Sequence, residues 1–197
     1  MGPLFISADL GQVNDYTAFT IIERVNKEFH LIGIERPELG TPYPQIVNRL
    51  REIVNRSHAF EGRAWPTVTI DLTGVGRPVW DMLTRAGLKA ELAGISITGG
   101  NTVTRVKNLY NVPKRDLVSA LQVAFQNGEL KIARGLLEAD ILTKELINFK
   151  VKINVNGHDQ YEAWREGVHD DIVLSAAMGV WMASRNHWLE NFKSLIS

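Results

Sequence analysis

The sequence predicts an α/β domain built on one mixed sheet, an antiparallel three-strand meander continued by parallel strands, with helices on its faces. Two observations carry this. Three runs rich in apolar, aromatic and β-branched residues, Phe5–Leu10, Tyr16–Arg24 and Phe29–Arg36, follow one another across turn-sized gaps, and gaps that short join antiparallel neighbours. Two later runs, Pro66–Asp71 and Lys89–Ile97, are each preceded by a stretch of helical period, the connection that parallel strands need.

The first strand, Phe5-Ile6-Ser7-Ala8-Asp9-Leu10-Gly11, ends in a carboxylate and turns at a glycine. Gln12-Val13-Asn14-Asp15 turns into the second strand and Asn26-Lys27 into the third. Pro37–Pro42 is a loop. Pro44 suits the first turn of a helix, where its missing N–H would be unpaired anyway, and Ile46, Val47, Leu50, Ile53 and Val54 share one face. The polar stretch His58–Arg63 leads to Thr67-Val68-Thr69-Ile70-Asp71, a second β-branched run closed by Asp. A helix follows with Val79, Met82 and Leu83 inward and Gly87 as its stop.

From Gly99-Gly100 to Val112-Pro113 a less regular segment is expected. Lys114–Asn127 reads as a helix with Leu117, Leu121 and Ala124 on one side, Leu130–Ile132 as a brief extended piece, and Leu136–Asn148 as a further helix. Phe149, Val151, Ile153 and Val155 alternate with Lys150, Lys152 and Asn154, so a strand is expected there, turning at Asn156-Gly157 into a return strand Tyr161–Trp164: an added β-hairpin. An apolar helix opens near Asp170. In the tail Trp188, Leu189, Phe192, Leu195 and Ile196 form a helical stripe expected to pack on the domain.

Composition narrows the function. At 197 residues, 45% hydrophobic and 22% charged, the chain suits a single domain spanning 1–197 with a sizeable core. Met1-Gly2-Pro3 running at once into a core strand reads as a domain cut from a longer chain. The apolar helix Ile172–Ala183 is interrupted by Ser175 and Gly179, and no run long enough for a membrane span exists. With no cysteine, any metal must sit on oxygen or imidazole. Twenty-two basic residues balance 22 acidic ones. A protein that grips nucleic acid by itself carries an excess of positive charge, so a nucleic-acid substrate would have to be delivered by something else.

Aspartate is disfavoured inside strands, because its side chain competes for local backbone hydrogen bonds. Asp9 and Asp71 nonetheless close two strands, and Asp170-Asp171 opens a late helix. Singly, each reads as a turn residue or helix cap. Together they can converge at one end of a sheet, and clustered carboxylates are what phosphodiester hydrolysis needs. Two divalent ions, Mg2+ or Mn2+, about 3.5–4 Å apart can activate water and stabilise the leaving oxygen, and both prefer oxygen ligands. His169, beside the pair, can orient a ligand or phosphate, or serve as a plain helix-entry residue. Arg105, Lys107, Lys114, Arg115, Lys150 and Lys152 are the candidate phosphate-backbone contacts, with a solvated surface as the even alternative. Gly74-Val75-Gly76 lacks the third glycine of a dinucleotide site, and no P-loop motif is present.

The order of meander, helix and two strands separated by a second helix is that of the ribonuclease H-like fold. Asp9-Leu10-Gly11 with Asp15, Ile70-Asp71-Leu72-Thr73-Gly74-Val75-Gly76-Arg77-Pro78-Val79, Val112-Pro113-Lys114-Arg115-Asp116-Leu117-Val118 and Gly167-Val168-His169-Asp170-Asp171 occur in that succession. Over nearly the whole chain this resembles the C-terminal nuclease domain of tailed-bacteriophage terminase large subunits. The resemblance implies a DNA endonuclease that cuts concatemeric viral DNA, genomes joined end to end, during packaging in the cytoplasm of the infected bacterial host. It implies that Asp9 bridges two metals, Asp71 holds the second and positions water, Asp170 completes the site, and Asp171 is a direct or water-mediated ligand. It implies double-stranded DNA, the terminase ATPase domain, the small terminase subunit and the portal as partners, and no membrane. Another ribonuclease H-like nuclease, such as a Holliday junction resolvase, would share the acidic logic. A non-catalytic DNA or portal docking module would bind without cutting, and an actin-like ATPase would need a second phosphate loop and a duplicated domain.

Overall fold

The opening run forms β1 (Leu4–Asp9), whose residues Leu4 to Ala8 are all buried because the strand is covered on both faces. The computed structural model describes residues 1–11, 15–58, 64–74, 76–155 and 170–195, and the side chains of these except 148–155 and 186–195. β2 (Ala18–Val25) and β3 (Glu28–Glu35) complete the antiparallel meander. α1 (Tyr43–Ser57) returns the chain to β4 (Thr67–Asp71), parallel to β1, and α2 (Gly76–Arg85) leads to β5 (Glu91–Thr98), parallel to β4. β6 (Thr104–Val106) and β7 (Leu109–Pro113) form a hairpin whose second strand pairs in parallel with β5. After α3 (Lys114–Gln126), β8 (Leu130–Ile132) pairs in parallel with β3. α4 (Ala139–Val155) and α5 (Asp171–Leu195) complete the described chain. The order of the eight strands is β6-β7-β5-β4-β1-β2-β3-β8, the mixed sheet expected from the sequence.

Two local expectations change. The irregular segment before Pro113 contains β6 and β7, hidden because their tight turn uses Lys107 at a φ of 56° where Asn or Gly would have signalled it. The stretch 149–155, expected as the first strand of an added hairpin, is the end of α4, so Lys150 and Lys152 lie on a helix. Leu142, Leu146, Phe149 and Ile153 also recur at helical spacing, and extending a formed helix needs no new nucleus. The expected turn Asn156-Gly157 and return strand Tyr161–Trp164 lie outside the described residues. The tail stripe continues α5 as one helix through Leu195, its side chains outside those described. No helix among the described residues is long and apolar enough to cross a membrane.

The sheet is the middle of three layers. α1 and α2 cover one face with Ile46, Leu50, Val54, Val79 and Leu83 against Ile6, Ala8, Val68 and Ile70. α3 and α5 cover the other, packing Leu117, Leu121, Ile172, Ala176 and Val180 against Phe5, Ile22, Leu31 and Ile95, with Leu142 of α4 joining them.

Candidate metal centre

Strand alternation decides which way the two strand-tip aspartates face. On β1, Ile6 and Ala8 belong to the α1/α2 core while Phe5 belongs to the other, so Asp9, two and four residues beyond Ser7 and Phe5, shares the α5 face. On β4, Val68 and Ile70 face α1 and α2, which turns Asp71 toward α5 as well. Ala8 pairs with Ile70 in the parallel register, so the two aspartates follow as neighbours at the same sheet end, their backbones about 4.8 Å apart. Asp71 Oδ1 accepts the Thr73 N–H at 2.7 Å, and Thr73 Oγ1 accepts the Ile97 N–H at 2.9 Å, tying the loop after β4 to β5. Gly76 closes that loop against Asp71: a Cβ there would stand 1.9 Å from the Asp71 carbonyl oxygen. Gly76 of the Gly74-Val75-Gly76 motif thus serves a close backbone approach.

α5 is registered on the same strands by small and hydroxyl side chains. Ser175 Oγ donates to the Ser7 carbonyl at 3.0 Å and shares a hydrogen bond with Thr20 Oγ1 at 2.9 Å. Gly179 lets the helix lie close, since a Cβ there would meet Ile22 Cδ1 at 2.8 Å. Ser7 is one pleat before Asp9, and Ser175 is one turn after Asp171, so this latch brings the start of α5 to the tip of β1.

The sequence reading missed two charged residues at this end. β3 runs in the direction of β1, so its C-terminal end arrives there too. Ile21 pairs with Gly33 but Ile22 with Leu31, leaving Ile32 as an extra residue in β3. That bulge resets the alternation: Ile34 joins the α5-side core, Arg36 turns the same way, and Glu35 pairs with Arg49 of α1 on the opposite face. Arg36 Nη2 donates to Asp171 Oδ2 at 3.3 Å, and its guanidinium lies 3.8 Å from the centre of the Tyr16 ring. Glu145 of α4 is the second, its Oε2 accepting the N–H groups of Ile172 and Val173. The signal for Glu145 was an acid three residues after Leu142 on an apolar helix face; for Arg36 there was none.

Among the described residues, no three acidic or imidazole side chains are closed around a single point. They nevertheless share one electrostatic environment. Burial pushes the Asp9 carboxyl well above its usual range, Asp71, Asp171 and Asp170 push it further, and Lys114 partly offsets them. Lys114 Nζ stands 3.8 Å from Asp170 Oδ2. Burial likewise raises Glu145, to about 7, with the N–H of Val173 opposing the shift and Asp171 adding to it. Four carboxylates crowded in this way repel one another, and the donors are all oxygens. This set fits a hard divalent cation, which would offset the burial and the repulsion that together raise Asp9.

The other expected contacts scatter. Arg115 donates to the Asn101 carbonyl at 3.0 Å at the start of α3, beside Lys114. Arg105 is level with Asp71 through Tyr110 and Ile95 but three strands away, about 14 Å across the sheet, and bonds the Lys107 carbonyl at 2.6 Å. The side chains of Lys150 and Lys152, and all of His169, lie outside those described.

Comparison with known proteins adds the family. No curated protein sequence matches the chain. In fold it resembles the magnesium-bound large terminase nuclease of thermophilic phage G20c, at 20% identity and a TM-score of 0.59 over 90% of this chain and 80% of that one. It also resembles the manganese-soaked human cytomegalovirus terminase nuclease domain, at 9% identity and a TM-score of 0.58 over 90% and 82%. Residues 6–182 match the model of the terminase RNase H-like domain, and the chain belongs to that family.

Proposed function

We propose that this chain is a divalent-metal-dependent endodeoxyribonuclease that cuts concatemeric viral DNA during genome packaging. The observation that supports it best is the position of Asp9, facing the same space as Asp71, Asp170 and Asp171 at one end of the sheet. Asp9 would bridge two ions, Asp71 would hold the second, Asp170 would complete the set, and Asp171, braced by Arg36, would add a direct or water-mediated contact. Two Mg2+ or Mn2+ ions held there would activate a water and stabilise the leaving oxygen of the phosphodiester.

The remaining work falls to the chain's own side chains. Asp71, hydrogen-bonded to the loop behind it, keeps its carboxylate in one orientation and positions the attacking water. Lys114, next to Asp170, meets the phosphate at the cut, with Arg115 beside it and Arg105, Lys107, Lys150 and Lys152 contacting the DNA backbone farther out. A chain of zero formal charge makes this grip weak and salt-sensitive. The ATPase domain, the small terminase subunit and the portal would therefore present the double-stranded DNA, in the cytoplasm of the infected host. The chain is one nuclease domain, 1–197, of that larger machine.

Plasmid nicking tests the proposal. Relaxation of supercoiled DNA in Mg2+ or Mn2+ that disappears with EDTA and with Asp9→Asn is the expected result. Binding without cleavage in either metal would overturn it in favour of a docking module.

A further inference from the structure

Glu145 performs a task that the sequence assigns to another residue. The first helical residue of α5 is Asp171, so Asp170 is its N-cap, and an aspartate at that position ordinarily accepts the second or third N–H of its own helix. Those are the N–H groups of Ile172 and Val173. Both donate to Glu145 Oε2, at 3.1 and 3.0 Å, from a side chain on a different helix. Asp170 Oδ2 instead faces Lys114.

Stability alone does not explain this substitution of caps. Glu145 is 6% exposed, and its Oε1 is buried with no hydrogen-bond partner in the described structure. Burying a carboxylate with one oxygen unpaired is costly, whereas a local aspartate cap satisfies the same donors at the surface for little. The arrangement gains something only if the Asp170 carboxylate is needed elsewhere.

We infer that Glu145 is a positioning residue that caps α5 in place of Asp170, releasing the Asp170 carboxylate for a divalent cation and fixing the height at which Asp170 and Asp171 are presented. The inference rests on the metal centre proposed above. α4 is thereby more than a packing element, since it carries the group that keeps the metal-facing end of α5 in order.

The test is Mn2+ binding by calorimetry, with metal-free melting temperatures measured alongside, for the wild type, Glu145→Ala, Glu145→Gln and Leu142→Ala. Glu145→Ala should weaken Mn2+ binding about tenfold or more, as Asp170 turns back to cap its own helix. Glu145→Gln keeps an acceptor oxygen and should stay within about threefold of the wild type. Leu142→Ala loosens the same helix and should lower the melting temperature with Mn2+ affinity unchanged. In an Asp170→Asn background, Glu145→Ala should have no further effect on affinity, because the two act through one carboxylate.

A Glu145→Ala protein that melts lower but binds Mn2+ like the wild type would overturn the inference alone. Glu145→Gln losing affinity tenfold would overturn it as well, and remains informative if Glu145→Ala does not fold. Absence of Mn2+ binding by the wild type would instead defeat the metal centre itself.

Discussion

The two faces of the sheet are built from the same strands and differ in kind. Under α1 and α2 the described core side chains of the strands are hydrocarbon, α1 adds the buried Ser57, whose hydroxyl donates to its own Val54 carbonyl, and charge appears at the rim, where Arg49 joins Glu35 and Glu52. Under α5, buried Ser7, Thr20 and Ser175 sit among the apolar side chains, and Asp9, Asp71, Arg36 and Glu145 gather at one end. The Ser7 and Thr69 hydroxyls are even buried there without hydrogen-bond partners among the described residues. One face supplies cohesion. The other accepts desolvation costs to hold carboxylates in fixed positions, as the proposed metal centre requires.

Several measurements sharpen or break this contrast. The largest effect should come from Asp9→Asn, with metal-dependent nicking falling on the order of 10³-fold. The same substitution should raise the metal-free melting temperature, because it removes the carboxylate that three others oppose. A lower melting temperature would mean that Asp9 is a structural hydrogen-bond partner. Across the sheet, Leu50→Ala should cost about 2–5 kcal/mol in urea unfolding and leave Mn2+ affinity intact, since Leu50 is wholly buried in the α1 core. Loss of metal binding in the folded variant would show that the faces are not independent.

The pH dependence comes next. Glu145 binds its proton more tightly folded, at about 7, than at its ordinary 4.5, and Asp9 shifts in the same direction. The contribution of Glu145 is therefore full below pH 4.5 and lost as pH rises through about 7, and that of Asp9 likewise falls with rising pH. Without divalent metal, the melting temperature should fall across that window, and Glu145→Gln should flatten part of the slope. A metal-free protein that grows steadily more stable from pH 4.5 to 7 would contradict the crowding of carboxylates. A smaller effect is expected at the latch: Ser175→Ala should cost about 1 kcal/mol and weaken Mn2+ binding modestly, by loosening α5 over Ser7. Arg49→Ala, at the rim of the apolar face, should cost less than about 1 kcal/mol in urea unfolding and leave nicking unchanged.

Much of the α5 face was legible beforehand because aspartate at a strand tip contradicts its own propensity. Asp9 and Asp71 stood out on that ground, and the short gaps of the meander dictated the antiparallel start. Lys114 was visible as a charge but not as a neighbour of Asp170, since that needs β7 to end beside β5 and deliver α3 to the centre. β7 itself was hidden by a turn that uses lysine. Residues 149–155 satisfied two periodicities at once, and the helix already formed ahead of them took precedence.

The linear chain by itself determined the class of fold, the apolar stripes of the helices and the carboxylates at two strand ends, because these follow from local propensity and from repeats of two or 3.6 residues. Only the tertiary structure decided that an extra residue at Ile32 turns Arg36 toward Asp171, and that a glutamate 27 residues upstream caps the helix of the acidic pair. Both depend on pairing between distant segments, where one inserted residue reverses a side chain's face and a cap can come from any helix that packs close enough.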